Sequence, residues 1–450
     1  SLMQSGYPYD TNSQIDSSPL IVDLDGDGSL EIIFGDYAGL IHVLSNTGEP
    51  IVSDFFPYNT TDDIWASPAA ADIDLDGLVD FVIASQNGHL YAFDINGLKF
   101  DYNAEQFLVG TPVIGNIDLD DELEVMIGGY NSSGNIFVVN HDGSDVPGFP
   151  FEINEKMWKG FALHDFNDNG LDDMVVTTDG DDIIALIYDD GTMSTLLTAD
   201  NKFRSSPSVL KVDNNYIIMA GSYDDNMYAV SPSGEILFQI ETGGDVNSSA
   251  SFVNLNGTAY AFFGSDDGFI YAVDMNGNPL AGWPQEVGDD VENSVSFADL
   301  DSDGQPEAII GVSSKLYAYH MDGSLYDRFP ISYEFSFTSA PSIMDLDGDG
   351  DLELTLGSSG SLVSMDIMEE GELTYYGIPY WNQDRANDQK TGYYEIDQIE
   401  CTSPMGGDLN CDGFLDVLDI VTILGAIINA SELTLYEAWA SDMNQDGNID

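Results

Sequence analysis

The sequence predicts an all-β chain: an eight-bladed propeller of four-stranded antiparallel blades, followed by a small α-helical module. Three observations carry this expectation. A pattern with a period of about 43 to 49 residues recurs eight times over residues 1–395 of the 450-residue chain. Asn-Gly and Asp-Gly pairs punctuate the copies, and such pairs suit hairpins because a type I′ turn needs positive φ at both central residues. Gly is abundant at 45 residues and helix signals are scarce. Four strands per copy, repeated around a ring, let each blade bury both faces against its neighbours.

Each copy opens on a strand start rich in Ser, Thr and Pro: Ser18-Pro19, Ser67-Pro68, Thr111-Pro112, Gly160-Phe161, Ser206-Pro207, Ser249-Ala250, Ser294-Val295 and Ala340-Pro341. A short apolar strand, an acidic loop and a second strand ending in Gly follow, as in Glu31 to Gly35 and Glu307 to Gly311. A third strand, such as Leu90 to Phe93, reaches the two-residue turn at Asn96-Gly97, Asp142-Gly143, Asp190-Gly191, Asn276-Gly277 or Asp322-Gly323. The fourth strand is expected to run to an aromatic-Pro pair. The prolines of Tyr7-Pro8, Phe56-Pro57, Phe149-Pro150, Trp283-Pro284 and Phe329-Pro330 each stand 15 residues before the next loop's first acid. Gly6-Tyr7-Pro8 thus reads as a fourth strand whose blade lies elsewhere. Either the N-terminus completes blade eight, or Glu372 to Tyr380 supplies that blade's own fourth strand.

The acidic loops carry the chemistry. In Asp23-Leu-Asp25-Gly-Asp27-Gly28-Ser29-Leu-Glu31 and Asp345-Leu-Asp347-Gly-Asp349-Gly350-Asp351-Leu-Glu353, acids at positions one, three and five surround one point. A carboxylate at position nine closes the cage, and Gly at position six permits the sharp turn. Hard oxygens at this spacing suit Ca²⁺, and without a cation the clustered carboxylates repel one another. The pattern Asp-x-Asp-x-Asp-Gly-x-x-Asp/Glu, followed by an apolar strand and Gly, resembles the FG-GAP/VCBS repeats of bacterial surface proteins and integrin alpha-chain propellers. In that family the loop joins a blade's first and second strands. The resemblance implies ligands Asp72, Asp74, Asp76 and Asp80 in blade two, and Asp299, Asp301, Asp303 and Glu307 in blade seven. Blade three offers Asn116, Asp118, Asp120 and Glu124, with Asp121 where Gly is expected; blade four offers Asp165, Asn167, Asn169 and Asp173. The seventh residues, Ser29, Leu78, Glu122, Leu171, Gln305 and Asp351, complete the sets through backbone carbonyls. Blades one, two, seven and eight are expected to fill first. Blades five and six, with Val212-Asp-Asn-Asn215 and Val253-Asn-Leu-Asn-Gly257, read as shortened metal-free turns.

Residues 396–450 form the second module. Asp408, Asn410, Asp412, Phe414 (by its carbonyl), Asp416 and Asp419 fill positions one, three, five, seven, nine and twelve of a loop. Apolar residues at 417, 420, 421, 424 and 428 then mark one face of a helix. A second loop, Asp442, Asn444, Asp446, Asn448 and Asp450, starts 34 residues after the first. Two loop-helix units at this spacing resemble a type I dockerin, which implies a cohesin-like partner. Val417 and Leu418 stand where cellulosomal members often carry Ser or Thr. The chain opens at Ser1 and stops inside this motif, so it reads as a processed or truncated segment.

Eighty Asp and Glu face ten Lys and Arg, a formal charge of −70. That charge disfavours nucleic acid and anionic membrane, and no apolar run reaches the ~18 residues of a membrane span. The basic residues read as scattered, as do His42, His89, His141, His164 and His320. No protease, hydrolase or P-loop motif is present. Cys401 and Cys411 could pair in an oxidising compartment. Trp65 and Trp158 share a register seven residues before their loops, with Phe107 and Phe203 near the equivalent place. They should lie opposite the calcium face, as a platform for glycan or protein or as plugs between blades. The expected function is non-catalytic: a secreted or cell-surface calcium-binding propeller for adhesion, display or ligand binding. The alternative is a carbohydrate-active enzyme, since eight-bladed propellers with similar loops include rhamnogalacturonan lyases. The scarcity of Lys and Arg counts against a lyase on an acidic polysaccharide.

Overall fold

A computed structural model describes residues 3–396, apart from 54, 256, 376 and 377. Eight antiparallel sheets of at least four strands follow one another along the chain. Blade one shows the plan, with Leu20–Val22 innermost, then Glu31–Gly35, Leu40–Ser45 and Tyr58–Asn59 at the rim. Side chains alternate across a strand, and both faces are apolar because both are covered. Ile33 packs with Ala70, Phe81 and Phe93 of blade two, while Ile32 and Phe34 pack with Leu346 and Leu362 of blade eight. The Gly that ends the second strand has a steric reason. A Cβ at Gly35 would come within 2.2 Å of Ile64, and one at Gly357 within 2.4 Å of the Ile15 carbonyl.

The Ser-rich strand starts link the blades. Ser18 N donates to Ser67 Oγ at 3.0 Å, Ser67 N to Thr111 Oγ1 at 3.2 Å, and Ser206 N to Ser249 Oγ at 2.9 Å. Ala340 N donates back to Ser18 Oγ at 3.2 Å, carrying the belt across the closing seam.

The aromatic-Pro pairs precede the rim strands instead of ending them. Tyr58–Asn59, Phe151–Glu152, Gln285–Glu286 and Ile331–Ser332 each begin at the residue after the proline. Proline has no N–H for the ladder, so pairing starts only beyond it. Ring closure follows the N-terminal alternative: Tyr9–Asp10 pairs with Leu362 and Ser361 as the rim strand of blade eight. The rival segment forms its own hairpin, Thr374–Tyr375 with Ile378–Pro379.

The sequence pattern carried no sign of what fills the hub. The amides of Phe297, Ile343, Ala70, Ile114, Leu163 and Val209, all on innermost strands, donate to the carbonyls of Trp381, Asn382, Asp388, Gln389, Thr391 and Gly392. The chain thus winds around the channel, spending one or two residues on each of blades seven, eight, two, three, four and five. Tyr393–Ile396 then adds a fifth strand beside Ser208–Val212 of blade five. Arg385 and Lys390 are 3% and 1% exposed. Arg385 donates to Ser208 Oγ at 3.0 Å and to the Phe161 and Pro207 carbonyls. Lys390 Nζ donates to Gln383 Oε1 at 3.0 Å and to the Asp384 carbonyl at 3.2 Å. Burial lowers the pKa of both cations, Arg385 to about 10.

Candidate metal centres and the opposite face

Each acidic loop follows the innermost strand of its blade and is tied by its own carboxylates. In blade one, Asp23 Oδ1 accepts from Gly26 N (2.8 Å) and Asp27 N (3.1 Å), and Oδ2 from Gly28 N (3.0 Å). The position-nine acid is buried in all six loops and accepts from the amide at position two. The pairs are Leu24 to Glu31 (2.9 Å), Ile73 to Asp80 (3.1 Å), Ile117 to Glu124 (2.8 Å), Phe166 to Asp173 (2.9 Å), Leu300 to Glu307 (2.8 Å) and Leu346 to Glu353 (2.6 Å). Burial, reinforced by neighbouring carboxylates, lifts Glu31 and Glu124 to about 7 and Glu307 and Glu353 to about 8. Asp80 and Asp173 rise to about 6, also chiefly by burial.

Five loops bring three carboxylate oxygens within 4.8 Å of one another. They are Asp23, Asp25 and Asp27; Asp72, Asp74 and Asp80; Asp118, Asp120 and Glu124; Asp299, Asp301 and Asp303; and Asp345, Asp347 and Glu353. An all-oxygen set of high charge fits Ca²⁺. Blade four differs because Asn167 and Asn169 leave it only two carboxylates of the motif: Asn167 Nδ2 lies 3.3 Å from Asp173 Oδ2, and Asn169 Nδ2 donates to Asp189 at 2.9 Å. Blade three differs in backbone. In the other five loops positions four and six both take positive φ, as at Leu75 (57°) and Gly77 (90°). Leu119 and Asp121 do not, because Asp lacks the freedom of Gly there. Asn116 Oδ1 and Glu124 Oε1 are left buried without a hydrogen-bond partner. Blade two holds a cation of its own. Lys99 Nζ lies 2.7 Å from Asp74, 2.8 Å from Asp80 and 3.8 Å from Asp76. The expectation that blade two fills among the first overlooked this ammonium, which comes from a rim strand 19 residues beyond Asp80. The candidate ligands of the tail, Asp408 to Asp450, lie outside the described residues.

Blades five and six have the shortened turns expected of them. Val212 pairs with Asn215, and Leu255 with Thr258, across two-residue hairpins.

The opposite ends of the innermost strands gather aromatic rings. Trp65 precedes Ala69–Ala71 and Asp72 follows it, so the tryptophan and the acidic loop lie at opposite ends of one strand. Trp65 stacks on Tyr37 (centroids 5.7 Å apart) and meets Trp158 (5.6 Å), which meets Tyr130 edge-on (5.1 Å). Of the two phenylalanines grouped with them by register, Phe203 is fully buried against blade five and Phe107 is 57% exposed. Neither has a ring contact with the tryptophans; Phe203 instead meets Tyr228 edge-on at 6.0 Å. The Arg204 guanidinium lies 4.2 Å above Trp158 and 5.5 Å from Tyr223; Lys202 Nζ lies 4.6 Å from Tyr223 and Lys156 Nζ 5.5 Å from Tyr130. The basic residues are therefore less scattered than they read. Lys156, Lys159, Lys202 and Arg204, four of the ten, stand on the two connections entering blades four and five.

This arc borders a cavity of about 270 Å³ lined by Tyr37, Trp65, Trp158, Lys159 and Glu292, with Asp384 and Arg385 of the hub segment also against it. Its other side is acidic: Tyr37 donates its hydroxyl to Asp16. Burial, then Glu292, Asp290 and Asp245, raises nearby Asp266 to about 7.

Comparison with known proteins agrees with this architecture. Residues 23–83 match the family model described as an FG-GAP-like repeat. A λ-carrageenase of Pseudoalteromonas carrageenovora is 27% identical over 129 residues, which cover 27% of this chain but 13% of that enzyme. Among solved structures, the computationally designed Ika8 protein has a TM-score of 0.54 at 14% identity, covering 81% of this chain and 99% of its own. BBS1N in complex with ARL6DN has a TM-score of 0.50 at 12% identity, covering 82% of this chain and 100% of its own. At such identities these structures speak to the fold. The described residues form an all-β, eight-bladed propeller, and residues 23–83 carry an FG-GAP-like repeat.

Proposed function

We propose that this chain is an extracellular, calcium-stiffened propeller that binds polysaccharide on the face opposite its acidic loops and does not cleave it. The observation that carries the reading is the run of rings from Tyr37 through Trp65 to Trp158 beside a cavity about 270 Å³ in volume. Aromatic faces accept the apolar faces of sugar rings, and a few polar groups beside them fix orientation. The carboxylate cages at the other ends of the strands favour a calcium-rich medium, and no helix among the described residues is long and apolar enough to cross a membrane. Residues 396–450 would tether the propeller through a cohesin-like partner. The test is a glycan array read with calcium and with chelator, paired with an assay for new reducing ends. Retention of polysaccharide without new ends is the expected result; no retention of any glycan overturns it.

A second reading, a polysaccharide-cleaving enzyme, is favoured by the local similarity to a carrageenase. Glycoside hydrolysis needs a protonated acid and an ionised partner. Asp266, near the cavity and raised to about 7 by burial and neighbouring carboxylates, is suited to the acid's role. New reducing ends that disappear in Asp266→Asn would establish this reading in place of the first.

A further inference from the structure

We propose that the arc of Trp158, Arg204 and Tyr223 is a subsite for an anionic glycan, with sugar rings on the tryptophans and a sulfate or carboxylate on the cations. This rests on the glycan-binding reading above and adds the charge of the ligand. A protein of formal charge −70 is at first sight a poor receptor for an anion. Distance decides the matter: charges beyond the Debye length of roughly 8 Å are largely screened at physiological salt. What an anion at the arc meets is the local set, in which four of the chain's ten Lys and Arg stand among the carboxylates of Asp179, Asp182 and Asp245.

The cations are held in place rather than spread in solvent. Arg204 donates Nε (3.1 Å) and Nη2 (2.9 Å) to Asp179 Oδ2, and its plane lies over Trp158. Its side chain keeps 22% of its exposure. One carboxylate oxygen thus orients the guanidinium, and the Tyr130 and Tyr223 hydroxyls stand beside it, so an incoming oxyanion would meet O–H donors together with the guanidinium N–H groups that suit sulfate or carboxylate. Lys202 and Lys156 flank it on Tyr223 and Tyr130, and Lys159 stands exposed at the cavity wall. The acidic side of the bowl, Asp16 and Glu292 around Tyr37, repels the same anion. The ligand's direction across the bowl is therefore set, with its charged substituent toward blades four and five.

The test uses the full chain with calcium and titration calorimetry against four probes: λ-carrageenan, the same polymer desulfated, polygalacturonate and agarose. Arg204→Gln should weaken binding of the charged probes about tenfold, the loss expected for one charge-assisted contact, and change agarose binding by much less. Trp158→Ala should weaken charged and neutral probes alike. Should Arg204→Gln fold poorly, Lys159→Gln combined with Lys202→Gln tests the same charge while keeping the pair with Asp179. The two charged probes separate sulfate from carboxylate recognition. Equal affinity for charged and neutral glycans, unchanged in both charge variants, overturns this inference and leaves the glycan-binding reading standing. Binding of no probe overturns both.

Discussion

Blades five and six turn from first to second strand in two residues, whereas blades one and eight insert eight, Asp23 to Leu30 and Asp345 to Leu352, at the same point. The short turns let the backbone ladder run on: Ser208 to Val212 forms five residue pairs, against three for Leu20 to Val22. The long loops give up those pairs and hold themselves through side chains, Asp23 on three amides and Glu31 on a fourth. One solution is closed by backbone hydrogen bonds and needs nothing else. The other gathers carboxylates whose repulsion a bound cation would offset. Within one ring, then, a self-sufficient hairpin and a carboxylate-rich loop occupy equivalent places, and only the second is expected to respond to calcium.

Removing calcium should have the largest effect. Several sites binding only the folded state each add stability by mass action, so chelation should lower Tm by ~10 °C or more. Hydrogen exchange should localise the loss: the amides of Leu24 and Leu346 exchange faster in chelator, while those of Leu210 and Val253 hold. Equal loss in all blades would erase the contrast. Next comes Asp347→Ala. It removes one cage oxygen and one repelling charge, so Tm should fall by a few degrees in calcium, on the scale of ~1 kcal/mol, and rise slightly in chelator. A fall in both conditions would mean that Asp347 acts through the hydrogen bond it accepts from Gln4 Nε2 at 2.7 Å. Lys99→Met should sharpen the blade-two case. With the ammonium gone, calcium no longer displaces a resident cation, and calorimetry should find one site tightened by about tenfold, the equivalent of ~1.4 kcal/mol. The smallest effect belongs to Asp266 of blade six. An acid with a raised folded pKa stabilises the fold fully below its unfolded value of ~4. That contribution is lost as pH rises through about 7. Asp266→Asn should therefore flatten the decline of Tm over this range, with or without calcium.

The ring was legible because a propeller repeats its local physics, and the position-nine acids stood where the loop pattern required. What escaped lacks a period or is assembled across blades. The hub segment spends one or two residues on each of six blades, so no strand-like alternation marks residues 381–392. Lys99 enters its cage from the fourth strand of the blade, far from the motif. The aromatic arc draws Tyr37, Trp65, Tyr130, Trp158, Arg204 and Tyr223 from six separate connections. Only the shared register of the two tryptophans hinted at it, and the same register misleads at Phe203, where the ring turns into the core. Asp121 was visible as a departure, but its consequence lies in backbone angles that residue types alone do not give.

The hub segment makes this ring a wheel with two fasteners. The rim is clasped by the first residues of the described chain, and the axle is pinned by the last. Since ribosomes make the chain from its N-terminus, seven blades can stack before the rim is clasped, and among the described residues the pin seats after them.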